Sequence, residues 1–86
     1  MLKREEPEHV AAFLDQMLAG QRGRVAEMIG DDALVQRLME MGLLEGAEIE
    51  VLAFAPLGDP MEIRLDDYRL SLRRNEAARV RVTPLP

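Results

Sequence analysis

The chain has 86 residues, no cysteine and a formal net charge of −5. That length is one domain with a modest core, burying about 60–65% of the surface its unfolded form would expose. The missing cysteines exclude disulfides and thiolate metal sites and are consistent with a reducing compartment, and the acidic balance argues against nucleic acid as the main partner.

The first eight residues, Met1 to Glu8, are charged and lack the apolar core of a signal peptide. The longest apolar run, Val51 to Leu57, falls far short of the roughly 20 residues that span a bilayer. A cytoplasmic protein without membrane insertion is expected. Residues 1–12 form an N-terminal extension, and the domain occupies residues 13–86. Val10, Phe13, Leu14 and Met17 stand at helix spacing, which predicts a short helical lead-in over Glu8–Met17. Ala19-Gly20-Gln21-Arg22-Gly23 breaks it, and a first strand is predicted over Arg24–Ile29, where Glu27 interrupts the alternation.

Gly30-Asp31-Asp32 reads as a helix start, with an Asp side chain capping a free backbone N–H. Leu34, Leu38 and Met41 then line one helix face, widened by Val35 and Met39. Gly42 is placed to end the helix in the left-handed conformation, with Leu43 packing back on Leu38 as a Schellman ending prefers. A turn at Glu45-Gly46 leads into strand pattern at Ile49, Val51 and Ala53. Met61, Ile63 and Leu65 alternate next, then a turn at Asp66-Asp67, then Tyr68, Leu70 and Leu72. Asn75-Glu76-Ala77-Ala78 reads as one capped helical turn before a last strand at Val80 and Val82. Five short strands with one small helix predict a mainly β fold, a small SH3-like β-barrel with one inserted α-helix, which closes its own edges.

These segments resemble the FeoA family, the small cytosolic accessory proteins of bacterial ferrous iron uptake. The matching residues are Gly23 and Val25; Arg37, Leu38, Gly42, Leu43 and Gly46; Pro56, Gly58, Asp59 and Pro60; and Leu72, Arg73, Glu76 and Ala77. The match runs over about residues 13–83. Met41 replaces a common leucine, Glu45 replaces the usual proline and Asp67 stands where glycine is common. The resemblance implies a partner rather than a reaction: the cytosolic part of FeoB, a membrane ferrous iron transporter with a GTP-binding domain. The C-terminal domains of iron- and manganese-dependent repressors look the same at the domain level, so the alternative is an SH3-like regulatory module in metal-dependent control. Such a module would bind a peptide segment or another copy of itself. No cofactor is implied.

No catalytic set can be assembled. The only histidine is His9, in the lead-in, and the only serine is Ser71, between two strand leucines. The carboxylate pairs Asp31-Asp32 and Asp66-Asp67 read as a cap and a turn. One histidine does not make a ferrous site, and Met28, Met39, Met41 and Met61 fall at core spacings, so no metal ligand is assigned. Apolar residues without an evident interior point instead to docking. Leu52 and Phe54 share parity with Glu48 and Glu50, Leu57 lies in a loop between two prolines, and Leu44 follows the helix end. One continuous partner-binding patch is expected from Leu43, Leu44, Phe54, Pro56, Leu57, Asp59 and Pro60. Residues 67–86 carry five arginines (Arg69, Arg73, Arg74, Arg79, Arg81) against Asp67 and Glu76. They form either a solvated face or a rival, charge-led surface.

Overall fold

The computed structural model describes residues 12–86. The strands are β1 (Ala12–Phe13), β2 (Arg22–Met28), β3 (Glu48–Phe54), β4 (Met61–Leu65), β5 (Tyr68–Leu72) and β6 (Val80–Pro84). Helix α1 is Ala33–Glu40, the single turn α2 is Arg74–Ala77, and Leu14–Gln16 forms a 3₁₀ turn. All six strands join one antiparallel sheet in the order β1-β6-β2-β3-β4-β5. The sheet is therefore mainly β as expected but does not close: β1 and β5 are its two edges.

Helix α1 is tied to the segment that begins at β5. Asp32 at its start meets Arg79, Arg37 in its middle meets Glu76, and the Met41 carbonyl at its end accepts from the Tyr68 hydroxyl. These three ties run in reverse chain order, so the helix lies antiparallel to the stretch leading from β5 through α2 to β6.

The helix end follows from the sequence. Gly42 takes φ +107, its N–H bonds the Met39 carbonyl at 3.0 Å, and the Leu43 N–H bonds the Leu38 carbonyl at 3.1 Å. This is the Schellman pair, and it carries Leu43 into the interior beside Leu38, both fully buried. The helix start differs from expectation. Asp32 holds the cap position without a side-chain cap bond, because the Arg79 guanidinium grips both its oxygens at 3.0 and 2.9 Å. A bidentate charged pair outcompetes a single backbone donor.

Two bulges decide which side chains turn inward. In β2 the register slips at Ala26, so Val25 and Met28 face the core while Glu27 pairs with Arg81 outside. In β3 it slips at Leu52, so Ala53 is exposed and Phe54, opposite Met61, packs against the core. The expected outward parity of Phe54 is thereby corrected, since one extra residue exchanges the faces of everything after it.

The helical lead-in is also corrected where it is described. Ala12 and Phe13 pair with Val82 and Arg81 of β6, so the sheet already includes Ala12. Leu14 and Met17 are buried through one 3₁₀ turn rather than a helix stripe. Residues 8–11 of that expected helix lie outside the described residues. Met61 is buried, and Met28 and Met41 pack on the core, but Met39 is surface-exposed.

Candidate docking surface

The β3–β4 connection is internally bonded. The Ala55 N–H donates to the Pro60 carbonyl at 2.9 Å, and the Gly58 N–H to the Ala55 carbonyl at 2.7 Å. Asp59 Oδ1 accepts from the backbone N–H of Arg74 at 3.1 Å, fastening the loop to the first turn of α2. That bond satisfies an N–H which the helix cannot pair internally. On this anchored loop Leu57 is 95% exposed. A rigid loop that offers a leucine to solvent has already lost the conformational entropy that ordering on a partner would otherwise cost.

Beside the loop lies an open groove of about 620 Å³. Met17, Leu18 and Phe54 supply apolar walls, Asp15 and Gln16 line one flank, and Gly58 and Arg74 also face it. Leu18 is 66% exposed, held in place by a bond from its N–H to Gln21 Oε1 at 2.8 Å. The Arg74 guanidinium reaches the Asp15 carbonyl at 3.4 Å, tying α2 to the 3₁₀ turn.

Five of the seven expected patch residues, Phe54, Pro56, Leu57, Asp59 and Pro60, lie on or next to this loop. Leu43 and Leu44 do not join them. Leu43 is fully buried in the core, and Leu44, 48% exposed, precedes the opposite end of β3. A seven-residue strand spans about 23 Å. The single continuous patch is therefore two separate surfaces. Leu18 was missed from the sequence, although it stands immediately after the buried Met17 and before the Ala19-Gly20 break. Arg74, expected on a rival surface, lines the same groove as Phe54 and Gly58.

Most arginines are paired with carboxylates, across the sheet or between α1 and the α2 region. Among the described residues, Arg24, Arg37, Arg64, Arg69, Arg79 and Arg81 each form an ion pair, with Glu48, Glu76, Glu50, Glu62, Asp32 and Glu27 in turn. The Arg79 hydrogen bonds hold the Asp32 carboxyl below its ordinary 3.8, and that carboxylate in turn raises Arg79. No three histidine, aspartate or glutamate side chains gather into a metal-binding group among the described residues. His9 lies outside them.

The FeoA domain model matches residues 13–84. The chain belongs to the FeoA family. A curated relative, an Fe(2+) transport protein A/Fe(2+) transporter FeoB fusion protein of Porphyromonas gingivalis, is 36% identical over 69 residues, 80% of this chain and 8% of the fusion. The chain thus spans less than a tenth of that relative's length. The solution structure of the FeoA protein of Chlorobium tepidum superposes with TM-score 0.80 at 41% identity, covering 87% of this chain and 71% of that one. FeoA of Stenotrophomonas maltophilia, solved as a zinc complex and described as a prokaryotic SH3 domain protein, gives 0.71 at 30% identity over 80% of this chain and 86% of that one. The FeoA motif acquires physical roles in this frame: Arg37 and Glu76 pair, Gly42 and Leu43 end α1, and Asp59 holds the Leu57 loop on α2.

Proposed function

We propose that this FeoA domain is a non-enzymatic accessory of ferrous iron transport. It docks on the cytosolic region of a FeoB-type transporter through the end of the molecule that presents Leu57. The fusion relative supports the pairing, because a FeoA segment and a FeoB transporter occupy one polypeptide there. The observation that carries the surface is Leu57 itself, 95% exposed on a loop bonded at both its base and its flank. Leu57 adjoins Gly58 of the groove that Leu18 and Phe54 also line, and apolar surface gathered in one place, unlike a lone exposed leucine, is what an interaction site presents. Partner binding of this kind needs no nucleophile or cofactor. No helix of the described residues is long and apolar enough to cross a membrane.

A pull-down of the purified cytosolic region with wild type and Leu57→Glu tests this. Wild type is retained and Leu57→Glu is lost while its melting temperature stays unchanged. Equal retention of the two proteins contradicts the docking surface.

A further inference from the structure

The groove beside Leu57 is lined by one arginine, Arg74, and one aspartate, Asp15. Six arginines pair with carboxylates, whereas Arg22, Arg73 and Arg74 have no side-chain carboxylate partner among the described residues, and of these three Arg74 lines the groove. Its guanidinium makes one long bond, 3.4 Å, to the main-chain oxygen of Asp15, and the residue lines the groove together with Leu18 and Phe54. The nearby Asp59 carboxylate accepts the Arg74 backbone N–H through Oδ1 and forms no ion pair with the guanidinium.

From this we infer that the groove receives a short acidic-apolar segment of the transporter's cytosolic region. A large aliphatic or aromatic side chain enters between Leu18 and Phe54, and a neighbouring Asp or Glu meets Arg74. The inference rests on the docking reading and names the chemistry of its partner. The volume of about 620 Å³ accommodates one large side chain with its flanking backbone. A planar guanidinium at the wall favours a carboxylate, which it can engage through two parallel bonds. Burial of the apolar residue supplies affinity, and the arginine selects which segment enters and in which direction.

The test is calorimetric titration of the full chain with the purified cytosolic region, at about 50 and about 300 mM salt. Wild type binds, and the higher salt weakens it several-fold. Leu18→Glu and Arg74→Gln each lose about tenfold in affinity, and Arg74→Gln loses most of the salt dependence with it. Arg69→Gln, on the distant edge strand, changes affinity less than about twofold. Normal affinity in Arg74→Gln, or an unchanged salt slope, overturns the acidic-segment inference while leaving docking in place. Absence of binding by wild type overturns the docking reading and this inference together. Two further outcomes reassign the groove and overturn the inference. One is wild-type self-association in sedimentation that Leu18→Glu abolishes, which makes a second copy the occupant. The other is wild-type binding to phosphatidylglycerol vesicles that Arg74→Gln abolishes, which makes it a lipid headgroup.

Discussion

Arg37 Nη2 donates to Glu76 Oε2 at 2.7 Å, and the other oxygen of the same carboxylate accepts the Arg73 backbone N–H at 2.8 Å. One side chain therefore starts α2 and fastens it to α1. Glu76 is 12% exposed at its side chain and Arg37 60%, so the two ends of the pair are not equivalent. Glu76→Ala removes both bonds and is expected to cost about 1.5–3 kcal/mol. Arg37→Ala removes one, from solvent, and should cost no more than about 1 kcal/mol. Thermal melts of the two variants check the asymmetry, and equal losses would show that Glu76 has no second role.

Gly42 combines a left-handed backbone with lack of room. At φ +107 a Cβ would stand 2.6 Å from the Tyr68 hydroxyl and 3.2 Å from Leu65 Cδ2. Gly42→Val is expected to lose about 2 kcal/mol or more, adding backbone strain to displacement of Tyr68. For a domain of this size the melting temperature falls by roughly 10 °C. A melt within a degree or two of wild type would mean the helix end can be rebuilt without this conformation.

Gly23 is a packing glycine rather than a turn glycine. It lies in β2 between Ile49 and Pro84, and a Cβ there would overlap Val82 Cγ1 and approach the Thr83 carbonyl to 2.9 Å. Gly23→Ala should cost about 1–3 kcal/mol. Val82→Ala is expected to relieve part of that cost, read as a favourable coupling in a double-mutant cycle. Additive losses would show that the backbone carbonyl, not Val82, sets the limit.

Asp32 and Arg79 give the fold an acid-sensitive tie. Because Arg79 lowers the folded-state pKa of Asp32, the pair stabilises above the unfolded carboxylate range, near pH 3.9, and its contribution disappears as pH falls through the depressed folded value. Wild type should melt above Asp32→Asn at neutral pH, and the gap should narrow below about pH 4. A gap that widens on acidification would contradict a lowered folded-state pKa of Asp32.

Much of this was legible in the sequence because it depends on local chemistry. Gly42 and Leu43 spell a Schellman ending within a few residues, and the motif order identifies the family. What was not legible depends on long-range competition. Asp32 has the composition of a cap, but Arg79, 47 residues later, takes its carboxylate. Phe54 falls on the outward parity of β3 until the bulge at Leu52 exchanges the faces. A period-two pattern carries no mark of an inserted residue, so Phe54 could not be placed by alternation. Leu44 and Leu57 are both exposed, yet only the course of β3 between them shows that they lie at opposite ends. The groove requires Leu18 and Arg74 to meet across 56 positions of sequence, through the Asp59 bond and the Asp15 carbonyl.

The central claim is that the Leu57 end, and not the Leu44 end, meets the transporter. Backbone amide shifts of the isotope-labelled chain, titrated with the transporter's cytosolic region, test it most directly. The account predicts perturbations concentrated at Leu18, Phe54, Leu57, Gly58 and Arg74, with Leu44, Tyr68 and the Asp66-Asp67 turn unaffected. Perturbations centred on Leu44 and Tyr68 would contradict it.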